Sequence, residues 1–202
     1  MLDYLLQRVR DYAPGSGPVG CFSEAAVLMP ITRTDSPELV LTLRASGLST
    51  HSGEVAFPGG RRDPTDLSLK HTALREAEEE VGLPPGMVEM MGSLTPLVSR
   101  YGIKVTPYVG LVPNYVEYRP NDAEIASVFF VPLKFFCQPP QEIQWRMDAQ
   151  GQAWPVPSYY YDNYKIWGLT ALMIIELVNV VCDAGVCLQQ PTSLSLTAMR
   201  RS

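Results

Sequence analysis

Residues 59–83 decide the fold: a glycine-rich turn, Gly59-Gly60-Arg61-Arg62-Asp63-Pro64-Thr65-Asp66, precedes Leu74-Arg75-Glu76-Ala77-Glu78-Glu79-Glu80-Val81-Gly82-Leu83. The acidic segment predicts a helix with two different faces. At about 100° per residue, Glu76, Glu79 and Glu80 point within roughly 100° of one another, whereas Glu78 points away. Apolar residues share another face of this helix, and they are Leu74, Ala77 and Val81. We therefore expect three converging carboxylates and one solvated glutamate.

Carboxylates at these spacings repel one another by a few tenths of a kcal/mol per pair, so a positive partner is expected. Arg75 lies four residues before Glu79 and can pair with it along the helix. A divalent cation would neutralise the remaining charge, and all-oxygen ligands favour Mg²⁺ or Mn²⁺ over zinc. The alternative is an exposed acidic helix face, which is common in glutamate-rich helices.

The order Arg75-Glu76-x-x-Glu79-Glu80-x-Gly82 after a glycine turn resembles the box of the Nudix hydrolases. That box reads Gly, five residues, Glu, seven residues, then Arg-Glu-apolar-x-Glu-Glu-x-Gly-apolar, and its second half is matched here at every defined position. In the first half, five residues lead from Gly60 to Asp66 instead of Glu, and eight residues, not seven, then lead to Arg75. The displaced position leaves the role of Asp66 open.

The resemblance implies an α/β fold, the Nudix α/β/α sandwich around a mixed β-sheet. It also implies that Glu76, Glu79 and Glu80 are metal ligands and that Arg75 orients them. Nudix enzymes often supply a further glutamate from a later segment as metal ligand or general base, and Glu124 in Asn121-Asp122-Ala123-Glu124-Ile125 fits that form. A solvated acid at a strand start is the alternative for Glu124, and Glu117 and Glu76 are the other candidates for the base.

A second resemblance, to the coenzyme A diphosphatase branch of the Nudix hydrolases, lies immediately upstream. Its signature, Leu-Leu-Thr-x-Arg-Ser/Ala followed by a glycine and Phe-Pro-Gly-Gly, is matched by residues 41–45 and 57–60, although Val40 replaces the first leucine and Ser49 replaces an arginine. The branch also tends to carry the longer loop Gly-Gly-x-x-Asp-Pro-x-Asp, which accounts for the expanded box. The wording Ile166-Trp167-Gly168-Leu169-Thr170-Ala171 resembles the branch again.

Four residues of this upstream region are candidates for binding the substrate: Arg44, Gly59, Gly60 and Arg61. Glycine lets the backbone approach a phosphate closely, and arginine binds anionic oxygens. The alternative is a strand-to-helix turn with solvated arginines, Arg62 included. We interpret His51 as a loop hydrogen-bonding residue and His71 as a surface residue of the helix.

Composition excludes several classes of protein. A net charge of -5 and a pI near 5.1 argue against a nucleic-acid-binding protein, which normally has a basic face. Four cysteines without a Cys-x-x-Cys pair, beside two histidines, make a poor zinc set and indicate free thiols in a reducing compartment. The N-terminus does not have the pattern of a secretory signal, and residues 166–181 are interrupted by Glu176 and Asn179. We therefore expect a cytoplasmic protein with no membrane partner.

The chain predicts one main domain with two extensions. Residues 1–18 form an amphipathic helix and a Pro/Gly linker, residues 19–188 the Nudix domain, and residues 189–202 a frayed polar tail. Inside the domain we expect a hairpin of residues 25–29 and 39–43, strands at 88–94 and 104–112, a late hairpin within 141–161, and a helix from Tyr164 to about Val181. Homodimerisation is left open.

The sequence therefore predicts a Mg²⁺- or Mn²⁺-dependent diphosphatase. As the resemblance implies, it splits coenzyme A or its thioesters into 4'-phosphopantetheine and adenosine 3',5'-bisphosphate. A Nudix hydrolase of another nucleoside diphosphate derivative, such as ADP-ribose, is the first alternative. A non-catalytic nucleotide-binding module is the second, although a binding protein has no need to keep three repelling carboxylates together.

Overall fold

The structure is a computed structural model that describes residues 2–46, 53–147 and 153–188. In these ranges the chain forms three α-helices and eleven β-strands. In chain order they are α1 (Leu2–Asp11), β1 (Ser23–Thr32), β2 (Glu38–Arg44), β3 (Val55–Ala56), β4 (Gly59–Arg61), α2 (Leu69–Val81), β5 (Glu89–Ser93), β6 (Leu97–Val98), β7 (Ile103–Val112), β8 (Ile125–Pro132), β9 (Glu142–Met147), β10 (Ala153–Tyr161), β11 (Tyr164–Trp167) and α3 (Gly168–Cys182).

The main sheet is mixed, as the sequence predicts. Its central pair is β1 with β7, which run parallel over ten residues from Ser23↔Ile103 to Thr32↔Val112. The remaining pairings are antiparallel: β2 and β4 share the other side of β1, β3 and β8 pair with β2, and β5 and β6 pair with β7. The two central strands are largely buried, which is typical of parallel strands covered on both faces.

Helices cover both faces of this sheet and so create two apolar cores. On one face Ala73, Ala77 and Val81 of α2 pack with Ala26 and Leu28 of β1. The core on the other face is larger and includes residues of α1, α3 and β2. Side chains of a strand alternate between the faces, so neighbouring residues of β1 reach different cores. The α/β/α prediction is thereby confirmed, with α2 alone on one side.

Helix α1, predicted from the spacing of its leucines, packs against the domain. Leu5, Leu6 and Val9 are buried in the larger core. Arg8 donates from Nε to the carbonyl oxygen of Val180 at 3.0 Å and forms an ion pair with Asp183 at 2.5 Å. The helix is thus fastened to the C-terminal part of α3.

The C-terminal third adds a three-stranded sheet in the order β11-β10-β9, which confirms the late hairpin. The start of the last helix was predicted wrongly: Tyr164–Trp167 is a strand, and α3 begins at Gly168. The strand forms because Asp162, with φ 49°, closes a tight turn that pairs Tyr164 with Tyr161. No helix among the described residues is long and apolar enough to cross a membrane.

Candidate active site

Helix α2 begins and ends where its sequence specifies. The side chain of Ser68 accepts a hydrogen bond from the backbone N–H of His71 at the first turn. Gly82 ends the helix in the left-handed region, with φ 67°, which glycine adopts without strain. Ala77 is buried and Glu78 is exposed, so the helix has the predicted orientation. Glu76 and Glu80 are turned toward the strands and loops beside the helix, whereas the side chain of Glu79 is exposed.

Arg75 is the centre of the charged contacts on this helix. Its Nη1 lies 2.9 Å from Oε1 of Glu76 and 2.9 Å from Oε2 of Glu79. The predicted pairing with Glu79 is therefore present, and Glu76 shares the same nitrogen. The guanidinium also donates to the carbonyl oxygen of Arg61 at 3.2 Å, which ties the helix to the glycine turn.

Asp66, whose role the sequence left open, is the anchor of Arg75. Nε and Nη2 of Arg75 donate to its two carboxylate oxygens, each at 3.0 Å. The hydroxyl of Thr72 and the backbone N–H of Asp63 donate to the same carboxylate, each at 2.9 Å. These hydrogen bonds, led by those from Arg75, lower the pKa of Asp66 far below its usual value despite burial. Asp66 is therefore a charged clamp inside the fold.

Glu80 lies on the other side of α2 in a different environment. Its carboxylate accepts from Nη1 of Arg44 at 3.0 Å and from the backbone N–H of Gly59 at 3.0 Å. The side chain is 4% exposed, and this burial raises the pKa of Glu80 to about 7, with the charge of Glu76 adding to the effect. Glu80 therefore lacks enough stabilising contacts for its charge.

Glu76 lies between these two anchors, pressed against the glycine turn. A Cβ atom on Gly60 would come within 2.5 Å of its carboxylate, so glycine at this position makes room for Glu76. Burial raises the pKa of Glu76, and the charges of Glu79 and Glu124 raise it further, although Arg75 opposes them. Since Glu124 acts on this carboxylate, the glutamate predicted from the later segment lies near the helix glutamates.

The other candidate residues from the sequence differ in their exposure and in their ion-pair partners. Glu124 is half-buried just before β8, whereas Glu117 is largely exposed and pairs with Arg119 at 3.1 Å. Arg61 is exposed, and Arg62 pairs with Glu24 at 3.0 Å. His71 is half-exposed, in keeping with a surface residue, and its Nδ1 lies 3.5 Å from Asp66. His51 and Ser49 fall outside the described residues.

The donor set fits a hard divalent cation. Within the described ranges, no three acidic, histidine or cysteine side chains are arranged so that together they could hold a metal ion. The arginines explain this, because Arg75 holds Glu76 and Glu79 while Arg44 holds Glu80. Mg²⁺ commonly takes one or two carboxylates and keeps several waters, so a complete cage is not required. The raised pKa values of Glu76 and Glu80 are the mark of negative charge that a cation would relieve.

Comparison with known proteins identifies the family. The model of the NUDIX domain matches residues 23–149, which include the carboxylate cluster and the strands that carry it. The chain belongs to the Nudix hydrolases. It is 46% identical over 157 residues to an uncharacterized Nudix hydrolase NudL of Yersinia pestis (strain Pestoides F), covering 78% of this chain and 79% of that protein. The NudL protein of Yersinia pseudotuberculosis serotype O:1b (strain IP 31758) matches to the same extent.

Solved structures of the family resemble this Nudix hydrolase at lower identity. RenU of M. smegmatis is 22% identical, with a TM-score of 0.48 over 55% of this chain and 71% of that chain. A MutT/nudix family protein of Enterococcus faecalis is 17% identical, with a TM-score of 0.49 over 91% of this chain and 70% of that one.

Family membership establishes the enzyme class. The protein is a diphosphatase of the Nudix type, and the domain implies a small nucleotide-like substrate. Nudix enzymes generally use divalent metals, in agreement with the carboxylate donor set. Sequence reasoning missed two features of the site, the clamp at Asp66 and the reason for glycine at position 60. The loop Asp63-Pro64-Thr65-Asp66 was the available signal for the first of these.

Proposed function

We propose that this Nudix hydrolase cleaves the diphosphate bond of coenzyme A or its acyl thioesters, using Mg²⁺ or Mn²⁺. The products are 4'-phosphopantetheine and adenosine 3',5'-bisphosphate. One observation carries the proposal: Arg44 and Gly59, both from the segment that resembles the coenzyme A branch, donate to Glu80 of the box. The residues that indicate the substrate and those that indicate the chemistry thus contact each other directly.

The chain's own groups divide the work of the reaction. Water attacks one phosphorus, the bridging P–O bond breaks, and the leaving phosphate departs with its oxygen. A cation at Glu76, Glu79 and Glu80 would supply charge neutralisation on the diphosphate and a lower pKa for the attacking water. Arg75 orients Glu76 and Glu79, and Asp66 fixes Arg75 in turn. Glu124 accepts the proton of the water as general base.

Arg61 and the glycine turn are neighbours on β4, and both suit the anionic part of the substrate. Arg61 is exposed and belongs to β4, directly after Gly60. The backbone carbonyl of Arg61 accepts a hydrogen bond from Arg75. The side chain of Arg61 is exposed, so its guanidinium group can bind a phosphate oxygen. We propose that Arg61 binds the diphosphate, whereas the two glycines keep the backbone close to the carboxylates.

Product analysis by mass spectrometry tests the proposal. The enzyme is incubated with coenzyme A, ADP-ribose or a dinucleoside polyphosphate, each with Mg²⁺, with Mn²⁺ and with excess chelator. We expect 4'-phosphopantetheine and adenosine 3',5'-bisphosphate from coenzyme A at the highest kcat/KM, and no turnover with chelator. Preferential conversion of ADP-ribose to AMP and ribose 5-phosphate would assign the enzyme to a different Nudix substrate.

A further inference from the structure

A cavity of about 510 Å³ is lined in part by Leu43, the neighbour of Arg44 on β2, and has no part in the chemistry described above. Its volume is within the usual range for a small-molecule site. One wall is the pair Leu43 and Val55, which lie opposite each other on β2 and β3. The other wall comes from the turn and strand of the β10–β11 hairpin, namely Asn163, Tyr164, Lys165 and Trp167.

One aromatic residue of this wall, Tyr164, is held in place through its ring and its hydroxyl. The ring of Tyr164 stacks on Phe129 with a centroid distance of 3.7 Å and an interplanar angle of 2°, and its hydroxyl lies 3.4 Å from Oγ of Ser127. Trp167 ends β11 in register with Ser158. Fixed rings lose little conformational entropy when a planar ligand stacks on them. With Leu43 and Val55 opposite, the cavity suits a flat aromatic ring.

Two polar side chains at the cavity add specificity. The amide of Asn163 offers both donors and an acceptor, which is what the edge of a purine requires. Lys165 is half-exposed, and its ammonium group lies 3.6 Å from Glu142 and 5.4 Å from the centroid of the Tyr160 ring. A partly solvated ammonium group next to an aromatic slot suits a phosphorylated ribose. The lining thus has the composition expected of a nucleotide site.

The cavity and the carboxylate cluster meet at one strand end. Side chains alternate along β2, so Leu43 faces the core shared with α3 while Arg44 faces α2 and contacts Glu80. The pairing of β2 with β8 shifts register between these two residues. Consecutive Cα atoms are about 3.8 Å apart. A substrate whose diphosphate lies on the α2 side can therefore extend past the end of β2, so that its nucleoside reaches the cavity.

We propose that this cavity binds the purine base of the substrate among its lining residues Leu43, Val55, Tyr164 and Trp167. This inference rests on the proposed function only for the position of the diphosphate. The inference does not depend on the group attached to the second phosphate, because coenzyme A and ADP-ribose share the adenosine half.

Titration calorimetry with adenosine 3',5'-bisphosphate in chelator tests the proposal without turnover. Two tryptophan substitutions form a matched pair: Trp167→Leu removes a cavity wall, and Trp154→Leu removes a partly exposed ring of β10 outside it. Base–aromatic stacking contributes about 1–3 kcal/mol, so we expect Trp167→Leu to raise Kd at least ~5-fold and Trp154→Leu to leave Kd unchanged. Asn163→Ala, in an exposed turn, should raise Kd several-fold without unfolding the protein.

Three outcomes would overturn the base site. The first is that the parent enzyme does not bind the bisphosphate at millimolar concentration, and the second is that the two tryptophan variants have equal Kd values when circular dichroism shows both folded. The third is that Trp167→Leu loses only the binding of 4'-phosphopantetheine. If Trp167→Leu does not fold, an unchanged Kd in Asn163→Ala overturns the site and a raised one supports it. Failure of the proposed function has a different signature. In that case the parent does not cleave coenzyme A, yet Trp167→Leu still loses affinity for the bisphosphate.

Discussion

Counted as whole residues, Asp66 is 4% exposed and Glu80 is 3% exposed. Each carboxylate faces an arginine on or beside α2. Asp66 accepts four hydrogen bonds, two from Nε and Nη2 of Arg75, one from Thr72 and one from a backbone N–H. These hydrogen bonds lower its pKa. Glu80 accepts one from Arg44 and one from Gly59, and its pKa is raised. The hydrogen bonds from Arg75 are the strongest influence on the pKa of Asp66, whereas burial is the strongest influence on the pKa of Glu80. Asp66 is a structural anion, whereas Glu80 is poised to take up a proton or a cation.

The largest effect on activity should come from removing a carboxylate of the proposed metal site. Glu79→Gln and Glu80→Gln each remove charge from the proposed metal site, so we expect turnover of the diphosphate substrate to fall by several orders of magnitude in folded protein. Glu78→Gln is the matched control on the same helix, since that side chain is exposed and turned away. Near-parent activity in folded Glu79→Gln protein would contradict the metal site.

The two glycines before α2 should separate activity from folding. In Gly60→Ala the new Cβ meets only the flexible end of Glu76, at 2.5 Å, so we expect the carboxylate to move and kcat to fall at least tenfold with little change in Tm. In Gly59→Ala the Cβ meets the backbone of Ala26 and Val27, at 2.5 and 2.6 Å, so the fold itself is expected to lose stability. Steady-state kinetics and thermal unfolding of both variants test this. Parent kcat in Gly60→Ala would mean that the position of Glu76 is unimportant.

Removing the structural anion should destabilise the protein at neutral pH. Asp66→Asn leaves Arg75 without its charged partner, and loss of one member of a buried pair costs about 3 kcal/mol of unfolding free energy. A carboxyl whose folded pKa is lowered stabilises the fold above its unfolded pKa, and this contribution is lost as pH falls through the folded pKa. We therefore expect the stability difference between parent and Asp66→Asn to be largest near neutral pH and to shrink below about pH 4. Urea unfolding as a function of pH measures it, and a constant difference would contradict the clamp.

The opposite pH signature is expected at Glu80 in metal-free protein, and it is the smallest effect. A carboxyl whose folded pKa is raised stabilises the fold below its unfolded pKa, and this contribution is lost as pH rises through the folded value, here about 7. The free energy of unfolding of the parent, minus that of Glu80→Gln, should therefore decrease between pH 5 and pH 8. Excess Mg²⁺ should weaken this trend, because a bound cation favours the ionised carboxylate. A difference that increases with pH would show that Glu80 is well satisfied without metal.

Local patterns predict most of the elements and one ion pair, but not the contacts that cross the chain. The helix angles placed Glu78 in solvent and Arg75 beside Glu79, because both relations lie within a single helix. Arg44 and Glu80 are 36 residues apart, and no periodicity connects them. A helix is wrongly predicted at Tyr164–Trp167 because the hydrogen-bond partners of this segment, on β10, are not visible in its own composition.

The expanded box shows a different limit. By spacing alone, the extra residue before Arg75 displaces Asp66 and leaves its role open. Instead the loop curls on itself, since the backbone N–H of Asp66 donates to the carbonyl oxygen of Asp63, and that of Thr65 donates to the Asp63 carboxylate. This turn takes up the added length and returns Asp66 to Arg75. Spacing along the chain thus predicts position only where the backbone between two residues is regular.

The parallel pairing of β1 with β7 has a consequence for how the enzyme folds. Ser23 pairs with Ile103, so the chain must close a loop of about eighty residues that contains the whole of α2. Asp66 and Arg75 are only nine residues apart, and their contact can form long before that closure. We expect hydrogen exchange during refolding to protect α2 and its clamp early and the β1–β7 ladder late, as contact order predicts. Simultaneous protection of both would mean that the helix waits for the sheet.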